Sequence, residues 1–407
     1  MRQPRGVLDS SLAVLLEGYG WMPNRRAGTG VVHTRVLGQR AVGLCGPDAA
    51  RFFYDESHIR RHTAIPGPIQ ATLFGRGAVH TLDGAAHRCR KDIFLTLATP
   101  ASTAALADAV AQAWEATAGA WPPGQPVVLF DEASRVITRA VCAFAGVPLE
   151  DDEVAPVARD LVAMVDGFAT PGPRHWRARA ARRRREAWLS GVVSRVRSGA
   201  VAANPGSALE VVATHREING EGLHPRLAAV ELLNVIRPTV AVCWFVAYAG
   251  HALHRWPEYR DALAAGHGVT EFVQELRRFY PFAPFIGGRA VRDLSWHGEH
   301  IPAGAMVLLD LWGHNHDSRV WEDPFVFRPE RFTGREIGQF DLVPQGAGDP
   351  RTNHRCPGES FTIAVLEAVV PRLAALSYEV PEQDLTISLR RVPARPASGV
   401  VLVPSAR

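Results

Sequence analysis

The order of apolar and polar positions predicts a chain that is mostly helical, with short strands drawn from distant segments. Residues 31–45 read as a hairpin, VVHTRVLG and RAVGLC about a turn at Gly38-Gln39. Residues 47–55 and 85–115 carry apolar residues at helical spacing, and 126–280 is almost all helical. Strands return over 288–309, punctuated by Gly298 and Pro302-Ala303-Gly304. A proline-rich irregular stretch fills 323–357, a last helix covers 358–377, and the tail, LTISLRRV then GVVLV, reads as a second hairpin. No repeat or low-complexity linker interrupts residues 1–407, so a single unit is expected: mainly α with small β-sheets.

The run Ala228–Ala249 is apolar on nearly every side and long enough to span a bilayer. Glu231, Asn234, Arg237 and Pro238 lie inside it. A mid-span arginine costs about 2.5–3.5 kcal/mol on insertion scales. The run therefore reads as a buried central helix and not as a transmembrane segment.

With 47% hydrophobic and 21% charged residues, the composition excludes a disordered or collagen-like chain. A formal charge of +4 is too small to imply a nucleic-acid partner. Lys91 is the single lysine, so arginine carries nearly all the positive charge. The cysteines, Cys45, Cys89, Cys142, Cys243 and Cys356, are odd in number, far apart and form no CxxC pair. Neither a disulfide framework nor a zinc site is expected, and the compartment is read as the reducing cytoplasm. The N-terminus shows no signal-peptide pattern.

Candidate chemistry begins at His354-Arg355-Cys356-Pro357-Gly358-Glu359. A glycine-rich loop, Pro344 to Gly348, precedes it and an apolar helix follows. A cysteine at a helix N-terminus sits where free amides and the dipole favour a thiolate. Gly358 lets the backbone approach a flat ligand. A buried structural cysteine is the competing reading, but the surroundings suit axial ligation of haem iron. Two further elements precede it in order: Glu275-Leu276-Arg277-Arg278, whose ends share a helix face, and Phe327-Arg328-Pro329-Glu330-Arg331-Phe332.

In that order the three motifs resemble the cytochrome P450 superfamily over nearly the whole chain. The resemblance implies the P450 fold, haem b held by the Cys356 thiolate, and a buried structural triad of Glu275, Arg278 and Arg331. It also places His87, Arg90, Lys91 and His354 near the haem propionates, with solvated charge as the alternative for each. Ordinary members carry an acid followed by threonine in the central helix to deliver protons; here that place reads Arg237-Pro238. Proline has no hydroxyl and arginine is no acid at neutral pH. A buried cation needs a partner, and Glu231 falls on another face of the helix. A substrate carboxylate held at Arg237 supplies both the missing charge and the missing acid–base group.

On this ground, and on the segments Leu73–His80 and Val165–Phe168 and the long loop around Gln345, the chain is similar to the fatty-acid peroxygenase branch. That branch uses hydrogen peroxide and needs no dedicated redox partner. The resemblance implies α/β-hydroxylation of fatty acids, oxidative decarboxylation to terminal alkenes, or both, in a cytoplasmic, bacterial enzyme. It makes Phe74, Val165, Phe168 and Phe285 the walls of an alkyl tunnel, with core packing as the alternative. It makes Arg237, Pro238 and His80 the catalytic set. Hydroxylating members have glutamine where His80 stands and the alkene-forming decarboxylase has histidine. A monooxygenase fed by redox proteins is the first rival reading. A haem sensor or a nucleic-acid binder using the seven arginines of Arg174–Arg185 is a remote one. His314-Asn315-His316 is discounted as a chance match to a nuclease string.

Overall fold

A computed structural model describes residues 8–26 and 30–406; the N-terminal expectation about a leader falls partly outside them. Strands β1 (Val32–Val36), β2 (Gln39–Leu44), β3 (Ile59–Arg60), β4 (Val127–Val128), β5 (Phe285–Ala290), β6 (Leu294–Trp296), β7 (Glu299–Ile301), β8 (Met306–Asp310), β9 (Tyr378–Glu379) and β10 (Val401–Pro404) form three sheets. The orders are β1-β2-β8-β5-β3, β4-β10-β9 and β6-β7. Only β2 and β8 pair in parallel. The helices pack beside the sheets around a core that centres on the run Pro225–Arg255. That run is long and apolar enough to cross a membrane, yet 94% of its apolar window is buried within the fold.

The first hairpin forms with its turn one residue earlier than expected. Val36 faces Gln39, and Leu37 and Gly38 both take positive φ, 53° and 73°. That is the two-residue turn whose twist matches the strands. The helical stretch 85–115 divides into Gly84–Leu97 and Pro100–Gly119. Proline disfavours helical geometry in the residue before it, and Thr99 uses its hydroxyl to cap the new helix at the Ser102 amide. The tail hairpin does not form. Prolines 393 and 396 follow LTISLRRV, leaving an isolated bridge from Ile387 to Pro396, and β10 pairs with β4 and β9 instead.

The central run breaks into helices Pro225–Val240 and Cys243–Arg255. Pro238 has no amide to give the Asn234 carbonyl, so the ladder opens beside the cavity described below.

The triad forms as expected. Arg278 meets Glu275 through two bonds of 2.7 Å, and Arg331 Nε lies 3.2 Å from the same carboxylate. Arg278 also donates to the carbonyls of Asn315 and Pro324, so it staples the irregular stretch to the helix Val269–Phe279. Glu275→Ala leaves two buried cations uncompensated and is expected to cost about 3–5 kcal/mol. Urea unfolding of the haem-loaded protein measures this; a loss below about 1 kcal/mol would mean that solvent screens the pair. The histidine string serves packing too: His314, Asn315 and His316 each bond to the backbone, at Asp341, Val343 and Trp312.

Candidate functional site

The loop ending at Cys356, the helix Gly84–Leu97 and the central helix close on a cavity of about 260 Å3. Cys356 lies on its wall, two residues before the first turn of the helix Glu359–Ala375. Cys142 and Cys243 are instead sealed in the hydrophobic core. The helix terminus does not by itself lower the thiol. Burial pushes the Cys356 pKa up and Glu359 adds to it, against the Gly358 amide and the charges of Lys91 and Arg277. A metal must therefore displace the proton on binding. Gln345 aims Nε2 at Sγ from 3.9 Å while donating to Thr362 at 3.0 Å and accepting from Arg277 at 3.1 Å. The sequence marks Gln345 only as a loop residue; its place beside sulfur comes from the fold. A Cβ at Gly358 would meet nothing nearer than 3.8 Å within the protein, so the space it leaves belongs to the cavity.

Arg237 and Pro238 enter from the central helix. Arg237 is buried, its Nε has no partner, and its one hydrogen bond is a long one of 3.5 Å to Asn234. Burial, with Arg182 adding, pushes its pKa down to about 9. Glu231 is not its counter-ion. That carboxylate accepts from Arg90 at 2.8 Å, from Asn234 at 3.2 Å and from the Val79 amide at 2.9 Å.

This network fixes the segment that carries His80. The Phe74 carbonyl accepts from Asn234 at 3.0 Å and from Arg182 at 2.8 Å, and Val79 is tied to Glu231. His80 then faces the cavity from a short 3-10 turn, its ring 4.5 Å from Phe74 and its Nδ1 without a partner. Histidine alone suggests titration near neutrality. Here burial and then Arg237 hold the His80 pKa well below its usual value, so the ring is a neutral hydrogen-bonding group. Asn234, Glu231 and Arg182 are the positioning residues that sequence reasoning missed. Their signal was that polar side chains interrupt an apolar helix.

His87, Lys91 and His354 line the opposite rim. The two imidazoles stack with centroids 3.8 Å apart, and burial pushes their pKa values down to about 3 for His87 and about 4 for His354. Nδ1 of His87 and Nε2 of His354 lack partners, which leaves both rings able to donate to an anionic group. Lys91 donates to the carbonyls of Asn353 and Arg355, bracing the cysteine loop. Arg90 does not join this rim. It lies on the adjacent helix face, where Glu217 and Glu231 take its guanidinium.

Of the expected tunnel residues, Phe74 and Phe168 meet edge to face with centroids 5.8 Å apart, behind His80. Val165 is packed into the core. Phe285 turns to Trp21, 5.8 Å away on the far side of the sheet strand, and does not line this cavity.

A single cysteine, a side-chain-free approach at Gly358 and unpaired imidazole nitrogens at the rim fit haem b. The sequence model described as "Cytochrome P450" matches residues 267–389, a range that holds Cys356 and the triad and not Cys243. The solved structure of cytochrome P450SP alpha with (R)-ibuprophen is 40% identical, with 97% of this chain and 98% of that one covered at a TM-score of 0.94. Ligand-free cytochrome P450 OleT is 34% identical, with 99% and 98% covered at 0.95. OleT has also been solved in complex with arachidonic acid. Among curated relatives, "Cytochrome P450 4e5, mitochondrial" of Drosophila mettleri is 33% identical over 164 residues, 35% of this chain and 31% of that protein. The chain thus spans less than a third of the curated relatives it matches by sequence.

Proposed function

The chain belongs to the cytochrome P450 family, and from that premise we propose that it oxidises fatty acids near the carboxyl end with hydrogen peroxide. The observation that carries this is Arg237, a buried cation that faces the cavity with its Nε unpaired. The fatty acids in solved relatives' cavities, such as arachidonic acid in OleT, carry the matching anion.

Haem b, bound through the Cys356 thiolate, supplies an iron that activates a peroxide oxygen for insertion into a C–H bond. The protein does the rest. Arg237 takes the substrate carboxylate by charge-assisted hydrogen bonds, which brings the α and β carbons to the reacting centre. Pro238 offers neither hydroxyl nor amide, so the bound carboxylate is the group able to take a proton from one peroxide oxygen and return it to the other. No electron-delivering protein enters this balance: a C–H bond and one peroxide give an alcohol and one water. Phe74 and Phe168 shelter the alkyl chain. The described residues hold no disulfide, which supports a reducing compartment. The test is purified protein, hydrogen peroxide and a series of saturated fatty acids, with products read by mass spectrometry. Turnover that requires NADPH and redox proteins and not peroxide would replace this reading with the monooxygenase.

His80 biases the outcome. When the β carbon reacts, either a 3-hydroxy acid forms, or the acid and one peroxide give a terminal alkene, carbon dioxide and two waters. A hydrogen-bond donor at His80 Nδ1 or Nε2 beside the site favours keeping oxygen off the carbon. Carboxylate binding at Arg237 also offsets the positive charge that depresses the His80 pKa, so substrate raises it. The expected result is a measurable alkene fraction from the natural protein and a several-fold smaller one from His80→Gln. An alkene fraction that is nil at every chain length would leave only the hydroxylating activity.

A further inference from the structure

The arginine-rich helix Pro173–Arg197 commits most of its cations within the fold. Asp166 holds Arg174, Asp160 holds Arg184 and Arg185, and Glu186 holds Arg182. Arg179 and Arg183 meet no carboxylate among the described residues. Both line a cleft of about 470 Å3, separate from the haem cavity. Arg76, also without a carboxylate among the described residues, enters from the segment opposite, and Arg226 from the start of the central helix. Five guanidiniums and His224 thus share one concave surface with one carboxylate, Glu186. That carboxylate is already taken, by Arg182 at 2.6 Å and by Arg226 at 3.5 Å. The whole chain carries a formal charge of only +4, so this cleft concentrates the molecule's excess positive charge.

We infer that the cleft binds a phosphate-bearing ligand. Guanidiniums held together repel one another unless several negative oxygens lie between them. A carboxylate satisfies one or two planar forks, whereas a phosphate presents more acceptors and up to two charges to forks arriving from different sides. Arg76, Arg179, Arg183 and Arg226 arrive from three separate segments. Leu227 and Val230 give the floor an apolar side, so the phosphate can belong to a soluble metabolite or to a lipid headgroup. The site is distinct from the anchor at Arg237. Ala71, Arg76 and Gly77 line the cleft, while Val79 and His80, further along the same segment, line the haem cavity.

Calorimetric titration of the haem-loaded protein with sodium pyrophosphate tests this. Saturable binding is expected, weakened about tenfold or more in Arg179→Ala and further in the Arg179→Ala/Arg183→Ala pair. Arg292→Ala, at an exposed turn away from the cleft, is expected to bind as the natural protein does. Flotation with phosphatidylcholine vesicles carrying phosphatidic acid separates the sources: co-flotation that the paired variant loses assigns a lipid headgroup, and its absence beside pyrophosphate binding assigns a soluble ligand. No binding of pyrophosphate, equal binding by the paired variant, or displacement of pyrophosphate by octanoate at equal concentration would overturn the assignment.

Discussion

With Arg237 replaced by alanine, peroxide-driven turnover of fatty acids is expected to fall at least about a hundredfold while haem content stays unchanged. Loss of a charge-assisted hydrogen bond costs about 1.5–3 kcal/mol in binding. Misplacing a reacting group by an ångström costs about another hundredfold in rate. Both apply here, because the group misplaced is also the acid–base group that Pro238 cannot replace. A short carboxylic acid added to the natural protein is expected to restore that group and allow oxidation of substrates that have no carboxyl; Arg237→Ala is expected not to respond. Folding predicts the opposite sign. Arg237 Nε is buried and unpaired, so Arg237→Met removes an uncompensated charge and leaves only a long contact to Asn234 broken. A gain within the range of about 1–4 kcal/mol is expected in urea unfolding of substrate-free protein. A variant that turns over fatty acids normally, or that unfolds earlier, would show that the guanidinium already has its partner in the protein.

Cys356→Ser is expected to lose the thiolate signature of the reduced carbon monoxide complex and, with it, peroxide-driven turnover. Thiolate donation is what favours O–O cleavage at the iron, and a serine hydroxyl is a far weaker donor. Cys243→Ser is the informative control. Cys243 is sealed among Trp244, Phe245 and their neighbours, its thiol pushed well above its usual pKa by burial. Its variant is expected to keep the spectrum and to lose some stability from a polar group in an apolar site. The reverse pattern would move the ligand to Cys243 and dismantle the site described here.

What could be read ahead of the fold was chemistry confined to short spacings. Glu275 and Arg278 share a helix face whatever surrounds them, and Cys356 is followed by a glycine and a helix in any conformation. Arg90 shows the limit. Periodicity puts His87 and Lys91 on one face and Arg90 beside them. That Glu217 and Glu231, far along the chain, wait on the adjacent face is a tertiary fact. Phe285 failed similarly: a strand residue's two faces are equally apolar in sequence, and Trp21 decides which one it uses. The tail hairpin had acceptable local pattern, but Val401 and Leu402 found better partners at Val128 and Val127. The protonation of His80 was invisible because it depends on burial and on Arg237, not on histidine itself.

Asn234 donates to the Phe74 carbonyl and to Glu231, and its oxygen takes the long contact from Arg237. One amide therefore registers the carboxylate anchor against the loop that carries His80. For anyone moving product selectivity between relatives, the unit of transfer is then not a single side chain. Grafting a histidine at position 80 into a chain that lacks the Glu231–Asn234 pair would deliver the right ring on an unindexed loop. Conversely, a one-residue insertion between Asn234 and Arg237 would swing the anchor about 100° around the helix and leave the loop where it was. Selectivity here is inherited as a calibrated set.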